Sequence, residues 1–119
     1  MANKEQASII GQIMQVSQHP NADRIHIAKV DIGRPDYISV VFGGDYLLTT
    51  GDLVAVALPG TRLPNGEKIR PRNYRGVRSW AELLSSDELG LTMNGPDRVH
   101  IFSPKEYRIG DAVKMIQII

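Results

Sequence analysis

Short apolar runs, each ended by glycine, proline, asparagine or aspartate, recur along this chain. Runs with the length of a strand cover residues 9–16, 25–32, 37–42, 53–58, 99–102 and 112–118. In the third run, Ile38, Val40 and Phe42 fall on every second position, which is the period of a half-buried strand. Strands this short, with turn residues between them, predict an all-β barrel or sandwich.

Local signals refine this prediction. In the second run, Ile25 and Ile27 fall on one face and Val30 and Ile32 on the other, and such a phase change predicts a bend or a β-bulge. The pair at positions 65 and 66, Asn-Gly, predicts a hairpin with a two-residue type I′ turn, because both residues tolerate positive φ.

Residues 86–90 predict one short helical turn. Ser86 is the expected N-cap, acidic residues follow it, and Gly90 is the expected end. No repeat, linker or low-complexity segment divides the chain. Together these elements predict a single domain over residues 1–119, an OB-fold five-stranded barrel with a short helix and an extra hairpin.

Composition limits the classes of function and the compartment. The 119 residues include no cysteine, which excludes disulfides and thiolate metal sites and makes a reducing cytoplasm the expected location. No apolar run approaches the roughly 20 residues of a membrane span, so no membrane association is expected. The net charge is only +1. Residues 62–78, however, hold six bases and one acid, whereas residues 82–97 hold four acids and no base. This separation predicts one strongly positive face.

No pattern in the sequence indicates an enzyme. His19, His26 and His100 lack the spacing of metal ligands, so neither a metal nor a cofactor is expected. The glycine-rich phosphate loops and the nucleophile elbow of hydrolases are also absent from the sequence.

The order of turns and strands resembles a known family. The matching segments read HPNADRI at 19–25, VDIG at 30–33, VALPGTRLPNG at 56–66, RGVRS at 75–79, SSDELGL at 85–91 and GD at 110–111. They resemble the tRNA-binding domain of the phenylalanyl-tRNA synthetase beta chain, of free-standing tRNA-binding proteins and of CsaA-like proteins. The resemblance implies an OB-fold that binds tRNA without catalysis, often as a homodimer. The chain departs from the family pattern at Ala81-Glu82, where Gly-Met is usual, and at residues 42–46.

Arginine can hold phosphate with two parallel hydrogen bonds and can stack on bases. Four arginines lie within nine positions, next to Tyr74 and Trp80. If this segment is extended, Arg70, Arg72 and Tyr74 point to one side and Arg75 to the other. Trp80 is expected in the core or at an interface. The predicted RNA-binding residues, several of them taken from the resemblance, are Asn21, Arg24, Arg70, Arg72, Arg75, Arg78, Ser79 and Ser85.

Each of these assignments has a structural alternative. Residues 19–23 are favoured as a turn that positions the second strand, and Ser79 and Ser85 could cap the local backbone. The leading interpretation is a module that binds tRNA or other structured RNA, with an aminoacyl-tRNA synthetase as a possible partner. The alternatives are a protein-interaction or CsaA-like chaperone homodimer, and an OB module that has lost or retuned RNA binding. The apolar final residues, 115–119, indicate a surface covered by the barrel or by a second copy.

Overall fold

The computed structural model describes residues 7–44, 48–63, 65–90 and 98–114. Those residues form strands joined by turns and contain no helix. The strands are β1 (Ala7–Gln18), β2 (Ile25–Asp31), β3 (Ile38–Gly43), β4 (Leu53–Ala57), β5 (Arg72–Tyr74), β6 (Val77–Ser79), β7 (Glu82–Leu83) and β8 (Ala112–Lys114). The first four predicted strands are confirmed as β1 to β4. The run at 99–102 forms only isolated bridges, to Ser85 and Leu53.

The long strand β1 organises the barrel. Its first half pairs with β4 and β8, and its second half pairs with β2, so the sheet order is β3-β2-β1-β4-β7 with β8 beside β1. The pairing of β1 with β2 shifts register between Ile13 and Gln15. The predicted irregularity was therefore placed on the wrong strand: β1 holds the extra residue, and β2 pairs with β3 without interruption.

Ser79 closes the barrel between β3 and β6. Its hydroxyl accepts the backbone N–H of Val41 at 2.9 Å and donates to the carbonyl of Ala81 at 2.9 Å. The next residue, Trp80, donates its backbone N–H to Ser39 at 2.9 Å. These bonds replace a regular strand ladder, and the result is a nearly closed, OB-like antiparallel barrel.

The barrel interior is apolar on both sides of β1 and β4. All five residues of β4 are buried, as the nearly continuous apolar run predicts. Gly11 lies where β1 passes closely between its neighbours: a Cβ there would lie 2.7 Å from Val30 Cγ1 and 2.9 Å from Val56 Cγ2. A glycine at this point lets the two valines fill the interior.

The predicted extra hairpin is present, but its turn differs from the expected one. Arg62 and Lys68 form an antiparallel bridge. Gly66 donates its N–H to Leu63 at 2.8 Å, and Leu63 donates to Glu67 at 2.8 Å. Gly66 has φ of 92°. The residues that flank the turn and bond each other are Leu63 and Glu67, so the turn is wider than a two-residue type I′ turn over Asn65 and Gly66.

The predicted short helix is wrong. Residues 86–90 form consecutive turns, with Leu89 donating to Ser85 at 3.1 Å and Gly90 donating to Asp87 at 2.9 Å. A single turn forms too few hydrogen bonds to offset the conformational entropy lost in helix nucleation. The cap is Ser85 and not Ser86, since the Ser85 hydroxyl accepts the N–H of Glu88 and the Glu88 carboxylate accepts the N–H of Ser85.

Candidate nucleic-acid interface

A cavity of about 420 Å³ opens on the barrel surface between the β2–β3 end and the β5–β6 hairpin. Ile25 and Phe42 line it with apolar surface, and Arg70, Arg72 and Tyr74 line it with two basic side chains and an aromatic ring. Its volume falls within the roughly 300–1,000 Å³ of small-molecule sites. The cavity could therefore take a nucleotide-sized group.

The turn of the β5–β6 hairpin decides which arginines face this cavity. Arg75 and Gly76 have φ of 50° and 93°, the two-residue pattern of a type I′ turn. Arg72 then lies opposite Ser79, and Tyr74 lies opposite Val77. Residues that lie opposite each other in an antiparallel pair share a face. The expected common side for Arg70, Arg72 and Tyr74 is confirmed, because all three line the cavity.

Arg70 and Arg72 have exposed side chains. Among the residues that the structure describes, no partner forms an ion pair or a hydrogen bond with either guanidinium group. The Tyr74 ring beside them is 38% exposed. Two unpaired guanidinium groups next to an accessible ring are suited to a phosphate and to a base.

Asn21 and Arg75 bind each other at the hairpin tip. Arg75 donates to the Asn21 carbonyl at 3.3 Å, and the Asn21 amide donates to the Arg75 carbonyl at 3.4 Å. His19, only 2% exposed, accepts the Asn21 N–H on Nδ1 at 2.9 Å. Its Nε2 therefore carries the proton and donates to the Tyr74 carbonyl at 2.6 Å. The turn at residues 19–23 thus fixes the hairpin as well as β2.

The remaining two predicted arginines lie apart from each other. Arg78 points to the opposite face of the hairpin, next to Asn73 on β5, and its guanidinium lies 5.1 Å from the centre of the Trp80 ring. That ring is 47% exposed, so Trp80 does not lie in the core, and the interface position expected as the alternative stays a prediction. Arg24 is exposed and directly precedes Ile25, one of the residues that line the cavity. The arginine cluster is therefore divided: Arg70 and Arg72 line the cavity, whereas Arg24 and Arg78 do not.

Ser79 and Ser85 lie in the cavity wall but are buried, with 3% and 8% of their surface exposed. The Ser79 hydroxyl closes the barrel, and the Ser85 hydroxyl bonds the Glu88 carboxylate at 3.1 Å. Both hydroxyls thus satisfy local groups, as the structural alternative proposed. A contact of either residue with RNA stays a prediction.

Glu82 brings a carboxyl group into the same cavity. Its pKa is raised from 4.5 to about 7, first by burial and then by the negative charges of Glu88 and Glu67. A hydrogen bond with Glu88 adds to the effect, while the Arg72 guanidinium opposes it. Near neutral pH the Glu82 carboxyl is consequently protonated in a large part of the molecules, which weakens the repulsion of phosphate expected from the sequence.

Two features of this site were not predicted from the sequence. The first is the Glu82–Glu88 pair, although the spacing of Ser85 and Glu88 is the signature of a capping box and was a usable signal. The second is the bond from His19 to Tyr74, which joins residues 55 positions apart. No local pattern reports a contact over that distance.

Comparison with known protein families shows which family the chain belongs to. A family model described as "Putative tRNA binding domain" matches residues 9–112. The chain belongs to this tRNA-binding domain family. The resemblance inferred from the sequence is thereby confirmed, and the family is one of non-catalytic binding modules.

The similar curated proteins are phenylalanine–tRNA ligase beta subunits. The chain is 36% identical over 106 residues to that of Neisseria meningitidis serogroup A, covering 89% of the chain and 13% of the relative. It is 38% identical over 96 residues to that of Synechococcus elongatus, covering 79% of the chain and 12% of the relative. The chain therefore spans about an eighth of the length of these relatives.

Two solved structures share the fold at low identity. The C-terminal domain of Plasmodium vivax p43 matches with a TM-score of 0.65 and 16% identity, covering 91% of this chain and 59% of that chain. The MetRS related protein from Pyrococcus horikoshii matches with a TM-score of 0.63 and 15% identity, covering 90% and 88%. At such identities the likeness shows the fold.

Within the described ranges, no helix is long and apolar enough to cross a membrane. Those same ranges hold no group of three or more histidine, aspartate or glutamate side chains arranged to bind a metal ion.

Proposed function

We propose that this chain binds tRNA through the face that carries the cavity. Arg24, Arg70 and Arg72 neutralise backbone phosphates, and Tyr74 stacks on an exposed base. The observation that carries the proposal is the pair of unpaired, exposed guanidinium groups beside Tyr74 on a hairpin fixed at its tip. Membership of a tRNA-binding domain family supports the choice of tRNA as the partner.

Fixing the hairpin matters for affinity. Ordering a rotamer-rich side chain on binding costs roughly 0.5–1.5 kcal/mol, and a mobile loop costs more. The bonds from His19 and Asn21 hold the hairpin backbone before RNA arrives, so only the arginine side chains are ordered on binding.

Binding of fluorescently labelled bulk tRNA, measured by anisotropy, tests the proposal. The variant Arg70→Ala/Arg72→Ala should bind more weakly than the parent. Arg34→Ala is the matched control, since Arg34 is exposed and follows the other end of β2. That end lies about 20 Å along the strand from Ile25, at roughly 3.3 Å per residue. Equal loss in all variants, or no tRNA binding by the parent, would favour the protein-interaction alternative.

A homodimer and a synthetase partner are separate proposals. The homodimer was expected from the apolar residues 115–119, which lie outside the described residues. Light scattering gives the mass directly, and a mass near the 13.2 kDa of one chain would reject a dimer. The synthetase partner is motivated by the relatives, which are ligase subunits, and copurification with a phenylalanine–tRNA ligase tests it.

A further inference from the structure

The lining of the cavity combines basic and acidic side chains. Glu82, on β7, and Glu67, in the loop before β5, both line it, as do Arg70 and Arg72. Arg72 lies near enough to Glu82 for its charge to lower the pKa of that carboxyl group. A phosphate suits the arginines and is repelled by an ionised carboxylate. A group that meets the carboxylates must instead donate hydrogen bonds.

The Glu82 carboxyl group bonds Glu88 while it is protonated, and ionisation frees it to accept hydrogen bonds from a ligand. Its partner Glu88 is itself fixed, because the Glu88 carboxylate accepts from the Ser85 N–H at 3.0 Å and from the Ser85 hydroxyl at 3.1 Å. The nearby Arg72 charge favours the ionised form of Glu82. An incoming ligand with two adjacent hydrogen-bond donors can therefore meet the two oxygens of the ionised Glu82 carboxylate, which lines the cavity.

The other residues that line the cavity narrow the choice of ligand. Tyr74, which is 38% exposed, contributes an aromatic ring, and Ile25 and Phe42 contribute apolar surface. These surfaces suit a flat, unstacked base, for which stacking on an aromatic ring contributes about 1–3 kcal/mol. Among the four standard RNA bases, guanine alone has two adjacent donors on its Watson–Crick edge, the N1–H and the 2-amino group. Adenine, cytosine and uracil each place an acceptor beside their donor.

We propose that the cavity is a subsite for one unstacked guanine of the bound RNA, with Tyr74 against the base and Glu82 accepting from N1–H and the 2-amino group. Arg70 and Arg72 then hold the phosphates next to that nucleotide. The inference rests on the proposed RNA binding and adds a base preference that makes Glu82 a specificity-determining residue.

The test compares two short oligouridines that differ in one base. One carries a central guanosine and the other a central inosine, which keeps N1–H and lacks the 2-amino group. A hydrogen bond to a charged group contributes about 1.5–3 kcal/mol, so the parent should bind the guanosine oligomer about tenfold more tightly or better. The measurement is made at pH 8, above the Glu82 pKa of about 7.

Two variants locate the preference. Glu82→Met removes the acceptors at similar volume, and its ratio of guanosine to inosine affinity should fall below about twofold. Arg70→Ala should weaken both oligomers alike and keep the ratio, since phosphate contacts carry no base information. Equal affinity of the parent for both oligomers, or an unchanged ratio in Glu82→Met, would overturn the subsite. If the parent binds bulk tRNA but shows no preference, only this inference fails; if it binds neither, the proposed function fails as well.

Discussion

Removal of Arg70 and Arg72 should change how salt affects tRNA binding, as well as the affinity itself. Both guanidinium groups are exposed and unpaired among the described residues. Each phosphate contact releases counterions, and log affinity therefore falls linearly with log salt concentration. The double variant Arg70→Ala/Arg72→Ala leaves Arg24 as the remaining cation of the three proposed to meet phosphates.

The size of the change follows from the number of arginines proposed to meet phosphates, which is three in the parent and one in the double variant. Three phosphate contacts give a slope between about −2 and −2.7, at roughly −0.7 to −0.9 per contact. From about 50 to 200 mM salt, the parent affinity should then fall about 20- to 40-fold, whereas one remaining contact predicts only about a threefold fall. The slopes of parent and variant should differ by about 1.4 to 1.8.

The assay is anisotropy of labelled tRNA at four or more salt concentrations for the parent, the double variant and Arg34→Ala. The Arg34 variant should keep the parent slope. Equal slopes for the parent and the double variant would refute the reasoning, even if the affinities differed. That result would mean that Arg70 and Arg72 do not meet phosphates.

Three further predictions concern the fold and its titration. Ser79→Ala leaves the Val41 N–H without its acceptor and should cost about 1–3 kcal/mol of unfolding free energy in urea, while the exposed control Ser17→Ala should change it by less than about 0.5 kcal/mol. Gly11→Ala places a Cβ 2.7 Å from Val30 Cγ1 and should cost about 1–3 kcal/mol; Gly43→Ala, whose Cβ would meet nothing closer than 3.6 Å, should be tolerated, and equal effects would contradict the packing argument. Because the pKa of Glu82 is raised in the fold, its contribution to stability is full below pH 4.5 and is lost as pH rises to about 7. After allowance for its partial exposure this loss should be about 1–2 kcal/mol, and Glu82→Gln should remove it; an identical pH profile in parent and variant would show that Glu82 is not buried in this way.

Much of the fold could be predicted from local patterns. The strands from Ile38 and from Leu53 follow from alternation and from continuous apolar character, since each signal depends only on neighbours along the chain. The bulge was assigned to β2 because the apolar residues of β2 change face, although the extra residue lies in β1. The sequence of one strand does not show which strand of a pair holds the extra residue; only the observed pairing of β1 with β2 does.

The site was less predictable, because its geometry depends on contacts between distant segments. Alternation correctly grouped Arg70, Arg72 and Tyr74. It could not show that Arg75 binds Asn21, or that Arg78 stacks on Trp80 away from the cavity. Burial of Glu82 where β7 pairs with β4, near Glu67, likewise depends on contacts between distant segments, and it changes an expected repulsive charge into a group that titrates near neutral pH.

Amide chemical-shift mapping during a tRNA titration tests the central claim most directly. The account predicts the largest changes at residues 70–74 and 79–85 and at the Ile25 and Gly43 ends of β2 and β3, which together surround the cavity. Changes confined to the opposite end of that β-hairpin, around Arg34 and Tyr37, would contradict it.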